Sequence, residues 1–172
     1  MHPFLQRARD EIESATAGLT PTQLAFAPAE GKWCCGQILE HLSIAYDGTA
    51  RLLSKVVAGG PRATPPTMKQ RLSTIVVGDL GYFPSGRKAP EGTLPTGIAP
   101  EVALRNALDS IVRMDAVLAE CEEKYGSRRK IADHPVLGAL NVKQWRRFHW
   151  VHTRHHMRQV RGLREMQRVH SS

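Results

Sequence analysis

The stretch Phe148-His149-Trp150-Val151-His152-Thr153-Arg154-His155-His156-Met157-Arg158-Gln159 holds four of the chain's eight histidines. Apolar residues recur around it at three- and four-residue steps: Val142, Trp145, Phe148 or His149, then Val160, Leu163, and Met166 or Gln167. That period predicts one amphipathic helix, capped by Asn141 and running to about Arg168. His152, His156 and Gln159 fall on its inward side. Two imidazoles at i and i+4 stand one turn apart on the same face, close enough to hold a single metal ion. His149 lies one turn earlier and His155 about 100° around the helix from His156, so both read as flanking residues.

Working outward, Phe4, Leu5, Ala8, Ile12 and Ala15 predict a first helix from Pro3 to Ala17, ended by Gly18. Thr20-Pro21 starts a short turn of helix, and an extended link through Pro28 and Gly31 leads to Trp33. The second long helix is predicted from about Cys34 to Val57, closed by Gly59-Gly60, with Ile38, Leu42, Ala45, Thr49, Leu52, Leu53 and Val56 as its stripe. His41 lies inside this stripe, whereas Glu40 points off it and reads as solvated. Taken alone, His41 reads as a neutral core imidazole hydrogen-bonded to a neighbour.

Pro61 to Pro66 is a proline-rich linker, and Met68 to Val77 a short helical candidate. The glycine- and proline-rich segment from Gly78 to Pro100 is a long irregular loop, placed to act as a lid. A third long helix runs from Pro100 to about Tyr125, with Val102, Leu104, Leu108, Ile111, Val112, Met114, Ala116, Val117 and Leu118 as its apolar set. Asp133 to Gly138 reads as an ordered loop, and His134 as a loop residue.

The whole is an expected all-α, single domain over residues 1–172, since this length supports one core. Met1 to Ala17 is interrupted by charges and is no apolar leader, and no uncharged run approaches a membrane span. A cytoplasmic location is expected. Cys34, Cys35 and Cys121 form neither a disulfide framework nor a CxxC pair. Cys34 and Cys35 open a helix, where a dipole can activate a thiol, but small buried cysteines are the commoner case.

The net charge of +8 is concentrated in the last helix, on Lys143, Arg146, Arg147, Arg154, Arg158, Arg161, Arg164 and Arg168. A solvated flank is the plain reading. No helix-turn-helix, zinc-finger or RNA-binding signature accompanies the charge, so nucleic acid is not an expected partner.

His41 on one core face and His152 with His156 on another supply three neutral nitrogen ligands converging inside a helix bundle. Three imidazoles with a position left open are the pattern of a catalytic or exchangeable site, because structural zinc closes all four positions with protein atoms. Imidazole also accepts nickel, iron or manganese. The HExxH signature is absent, since Thr-Arg-His separates His152 from His156.

At these residues the chain resembles the DinB/YfiT-like metalloenzyme superfamily of four-helix bundles. The likeness lies in Trp33 with Gly36-Gln37-Ile38-Leu39-Glu40-His41-Leu42, and in His152-x3-His156-Met157-Arg158-Gln159. It implies a four-helix bundle with a long irregular loop between the second and third core helices. It also implies a divalent metal, zinc first and nickel second, held by His41, His152 and His156 with water completing the shell. Superfamily members include thiol-dependent transferases and a thiol-assisted maleylpyruvate isomerase.

The leading expectation is a metal-dependent enzyme acting on a small molecule, either a transferase using a low-molecular-weight thiol or a related metal-assisted hydrolase. Arg154, Arg158 or Lys143 would meet an anionic thiol's carboxylates. The alternative is a non-catalytic bundle that binds a metal or a partner through its basic last helix. A homodimer is compatible with either.

Overall fold

The computed structural model describes residues 1–65, 67–68, 70 and 89–170. Among the described residues five α-helices and one hairpin follow in order: α1 Pro3–Thr16, α2 Pro21–Ala25, α3 Cys35–Gly59, a 3-10 turn Glu91–Thr93, α4 Pro100–Tyr125, β1 Lys130–His134, β2 Gly138–Asn141 and α5 Val142–His170. Helices α1, α3, α4 and α5 form the expected four-helix bundle. The short helix expected at Met68 to Val77 lies largely outside the described residues, as does 78–88 of the long loop. Among the described residues no helix is long and apolar enough to cross a membrane.

Local chemistry sets the helix starts. Pro21 follows the Thr20 cap of α2, and Thr20 and Gln23 satisfy each other's backbone amides. The start of α3 uses the same reciprocal box with a thiol: Cys34 Sγ accepts from the Gln37 amide at 3.4 Å, and Gln37 Oε1 accepts from the Cys34 amide at 3.0 Å. Cys34 is therefore a cap and the helix begins one residue later than predicted. Asn141 and Gln144 repeat the arrangement before α5, at 2.9 and 3.1 Å. Gly60 and Gly126 close α3 and α4 with φ of 87° and 75°, a conformation that favours glycine.

Cross-helix contacts give the direction of each helix. Gly36 lies against Pro100, Arg113 bonds Asp47 at 3.0 Å, and the Tyr125 hydroxyl donates to the Val56 carbonyl at 2.9 Å. Starts thus meet starts and ends meet ends, so α3 and α4 run parallel. Arg161 with Glu11 and Arg164 with Ala15 make α1 parallel to α5. Thr49 meets His149 and Tyr46 meets Thr153, so α3 and α5 are antiparallel. The resulting order is up, down, down, up. A parallel neighbour cannot be reached by a tight turn, and this is why the long connection falls between α3 and α4.

The hairpin corrects the expected loop at Asp133 to Gly138. Ala132 pairs with Leu140, Asp133 with Ala139 and His134 with Gly138 in antiparallel register. It is tied to the start of the long connection, where the Arg62 amide donates to Ile131 and Thr64 bonds Asp133 through its amide and hydroxyl.

Leu5, Ile12, Leu39, Leu42, Leu53, Ile111, Met114, Leu118 and Leu140 are fully buried in one core. On α4 the buried stripe is Ala103, Ala107, Ser110, Ile111, Met114, Leu118 and Cys121. Val112, expected inside, is 42% exposed because it sits 100° from Ile111. On α5, Gln167 is buried while Met166 is exposed, and Gln167 Nε2 donates to the Gln23 carbonyl at 2.6 Å. Arg146 also leaves the expected solvated flank: it is buried and forms an ion pair with Glu122.

Candidate metal centre

Helix α3 presents His41 and helix α5 presents His152 and His156, all three buried, at 4%, 5% and 7% exposure. Their nitrogen ligand atoms lie within 4.8 Å of one another. His152 Nε2 is 3.2 Å from His41 Nε2 and 3.1 Å from His156 Nε2. The phase argument therefore brings together the three residues it singled out. Among the described residues no carboxylate joins the cluster.

Hydrogen bonding fixes which ring nitrogens face inward with a lone pair. His41 Nδ1 is 2.8 Å from the Thr93 carbonyl, which can only accept, so that nitrogen carries the proton. His156 Nδ1 is 2.7 Å from Gln159 Oε1 and likewise donates. In the neutral rings both remaining Nε2 atoms are then bare acceptors aimed at His152 Nε2. One proton on His152 Nε2 can serve only one of them at a time. A cation serves all three at once, and a tetrahedral centre with bonds of ~2.0–2.1 Å sets its nitrogens about 3.3–3.4 Å apart. The residues present fit a divalent metal.

Burial keeps these imidazoles neutral, as metal ligation requires. Desolvation lowers the His41 pKa against the opposing pull of the Thr93 carbonyl. It takes His156 down to about 3, with His41 adding to the effect and Gln159 opposing it. His152 is lowered well below 6.5, first by burial and then by the neighbouring rings. Trp33 packs 5.2 Å from the His41 ring, and Phe148 stacks on His152 at 5.5 Å and 14°, which gives the cluster an apolar rim.

His149, His134 and His155 are not drawn in. His149, expected as a flank, is fully buried, and its Nε2 faces Thr49 Oγ1 at 3.0 Å. It belongs to a separate core group in which the Tyr46 hydroxyl lies 2.5 Å from Thr153 Oγ1. Burial holds the His149 pKa down to about 3. His134 Nδ1 accepts from the Val136 and Leu137 amides at 3.1 and 3.2 Å, so it organises the hairpin. His155 packs edge-on against His156, 5.2 Å between ring centres.

Gln159 was expected inward but is exposed, reaching back to His156. Lys143 stands about 14 Å along the helix axis from His152 and is not brought to the cluster. Arg154 stacks over Trp150 at 5.8 Å, and Arg158 is exposed.

Beside the cluster, a further buried group contradicts its sequence reading. Glu40, expected in solvent, is 3% exposed. Its carboxylate accepts from the Thr96 amide at 2.8 Å, the Thr96 hydroxyl at 2.6 Å, the Gly97 amide at 2.9 Å and the Ile98 amide at 3.3 Å. Burial pushes its pKa up, but these bonds outweigh it and hold the carboxyl below its ordinary value. The helical pattern carries no sign of this role, because the donors arrive from a loop more than fifty residues away.

Comparison with known proteins agrees with this architecture. Residues 6–162 match the family described as Protein of unknown function (DUF1569). The chain is 24% identical over 171 residues to the uncharacterized protein YuaE of Bacillus subtilis (strain 168), covering 94% of this chain and 96% of that one. Its fold matches the solved structure of YfiT from Bacillus subtilis, reported as a probable metal-dependent hydrolase with an unusual four-helix bundle topology. The TM-score is 0.59 at 17% identity, covering 95% of this chain and 84% of that chain. Matched over most of its length, the chain belongs to the DUF1569 family, and its up-down-down-up bundle shares the fold of YfiT.

Proposed function

We propose that this protein is a metal-dependent enzyme in which His41, His152 and His156 hold one divalent cation, zinc first and nickel second. Its reaction on a small molecule is the transfer of a low-molecular-weight thiol or, as the second arm, hydrolysis. The observation that carries this reading is the convergence of three buried Nε2 atoms, two of them left as bare acceptors by the bonds their Nδ1 atoms make. The reported character of YfiT supports the hydrolase arm.

When bound, the cation would supply Lewis acidity, lowering the pKa of a coordinated thiol or water and stabilising developing negative charge. The chain's own residues do the rest. Thr93 and Gln159 orient His41 and His156 by accepting their outer protons, which also raises the donor strength of the inward nitrogens. Trp33 and Phe148 exclude water around the rings and so strengthen electrostatic interactions there. All three cysteines are free, in keeping with a reducing cytoplasm, where such thiols are abundant.

The test is metal content by mass spectrometry after purification without an affinity tag. Near one equivalent is expected in the wild type, falling at least tenfold in His152→Ala. Trace metal in both would refute the proposal. Turnover of a thiol with an electrophile, compared with ester or amide hydrolysis and lost in His41→Ala, separates the two arms.

A further inference from the structure

Adjacent residues of α3 hold the same strand of loop. His41 donates to the carbonyl of Thr93, and Glu40 accepts from the amides of Thr96, Gly97 and Ile98 and the hydroxyl of Thr96. Between these two attachments the chain has little freedom. The 3-10 turn Glu91–Thr93 is closed by the Leu94 amide bonding Glu91 at 3.2 Å, and the Thr93 hydroxyl bonds Pro90 at 2.9 Å. Pro95 restricts Leu94 to its extended conformation. Gly97, with φ of 89°, allows successive amides to turn toward one carboxylate.

We infer that Glu40 is a positioning residue for the three-histidine centre: its carboxylate anchors the Thr93–Ile98 strap, and the anchored Thr93 carbonyl fixes His41 with its proton on Nδ1 and its lone pair on Nε2. This inference rests on the metal reading for its consequence, though not for its geometry. A neutral imidazole has two tautomers, and only one offers Nε2 as a ligand. The carbonyl that selects this tautomer belongs to an exposed loop, which would not hold its place without a buried anchor. Four donors on one ionised carboxylate form such an anchor, since charge-assisted bonds exceed neutral ones in strength.

Glu40→Gln tests this with almost no change of shape. A carboxamide has one accepting oxygen and one donating nitrogen, so whichever way it turns, donors of the strap face a donor. Two readouts apply to the full chain. The first is the His41 tautomer in metal-free protein, read from ring ¹⁵N shifts. The wild type is expected to show Nδ1–H alone, and Glu40→Gln a mixture of tautomers. The second is affinity for Co(II), read from its visible absorption, with a loss of about 10- to 100-fold expected in Glu40→Gln. If that variant fails to fold, Thr96→Val at an exposed position removes one of the four bonds and should move both readouts the same way by less. A wild-type tautomer together with wild-type Co(II) affinity in these variants would overturn the inference. A wild-type protein that takes up no Co(II) would instead refute the metal reading, and the tautomer would still decide the role of Glu40.

Discussion

Gly36→Ala should destabilise the protein even though alanine is the better helix former. Gly36 is the second residue of α3, and an added Cβ there would lie 2.9 Å from Pro100 Cβ and 3.1 Å from both Pro100 Cα and Cγ. Carbon atoms pack best at about 3.5–4.0 Å, so all three contacts are repulsive. A proline ring at the first position of α4 cannot rotate away, so relief requires moving the helix start. The far end of the same pair is held by Tyr125 on Val56 and by Lys124 on Val57, at 2.9 and 2.8 Å. Overpacking of this kind costs about 1–3 kcal/mol. Against that, alanine gains up to ~1 kcal/mol over glycine inside a helix, and less in the first turn. The expected net loss is about 1–2 kcal/mol, read as a lower urea midpoint at unchanged slope in metal-free protein. Stability equal to or above wild type would refute the close approach of α3 to α4. Because α4 is entered directly from the strap, weaker Co(II) binding should accompany the loss.

Metal-free protein should lose stability on mild acidification. The folded pKa of His149 is about 3 and that of His134 about 4, against 6.5 for an ordinary imidazole. The unfolded chain binds these protons first, so the stability of neutral burial is complete above the unfolded value and is lost as pH falls toward the folded one. Each group contributes about 1.4 kcal/mol per pH unit in that window, so His149 alone costs about 2 kcal/mol near pH 5. A denaturation midpoint unchanged between about pH 7 and about pH 5 would contradict this linkage. Arg146→Ala should cost about 2–4 kcal/mol, and Arg146→Met about half as much, because methionine keeps the buried stem while Glu122 turns to solvent. Equal losses in a urea titration would place the energy in the ion pair and not in the stem.

The helices and the histidine cluster were legible because both rest on the 3.6-residue period. His41, His152 and His156 are polar residues at positions where that period demands apolar ones, and the conflict points to a site. Phase could not place His149, whose neighbour Thr49 lies one hundred residues away. Glu40 was misread for a related reason: helical phase reports which way a side chain points and not what a loop brings to meet it. The hairpin escaped notice because His134-Pro135 looks like a turn, while the strands beside it are only five and four residues long. Arg146 was counted with the exposed charges because its partner, Glu122, sits on another helix.

The parallel course of α3 and α4 has a consequence for where the crossover ends. Helix α3 has 25 residues and is about 37 Å long, and the crossover must travel that distance back before α4 can begin. Whatever the crossover contains, its last residues are delivered to the end of the bundle where Cys35 to His41 start. The strap is thus an address set by connectivity, held by Glu40 and His41 on one side and by Pro100 against Gly36 on the other. The position of the strap is thereby set by the bundle itself, through helix length and the contacts at the start of α3.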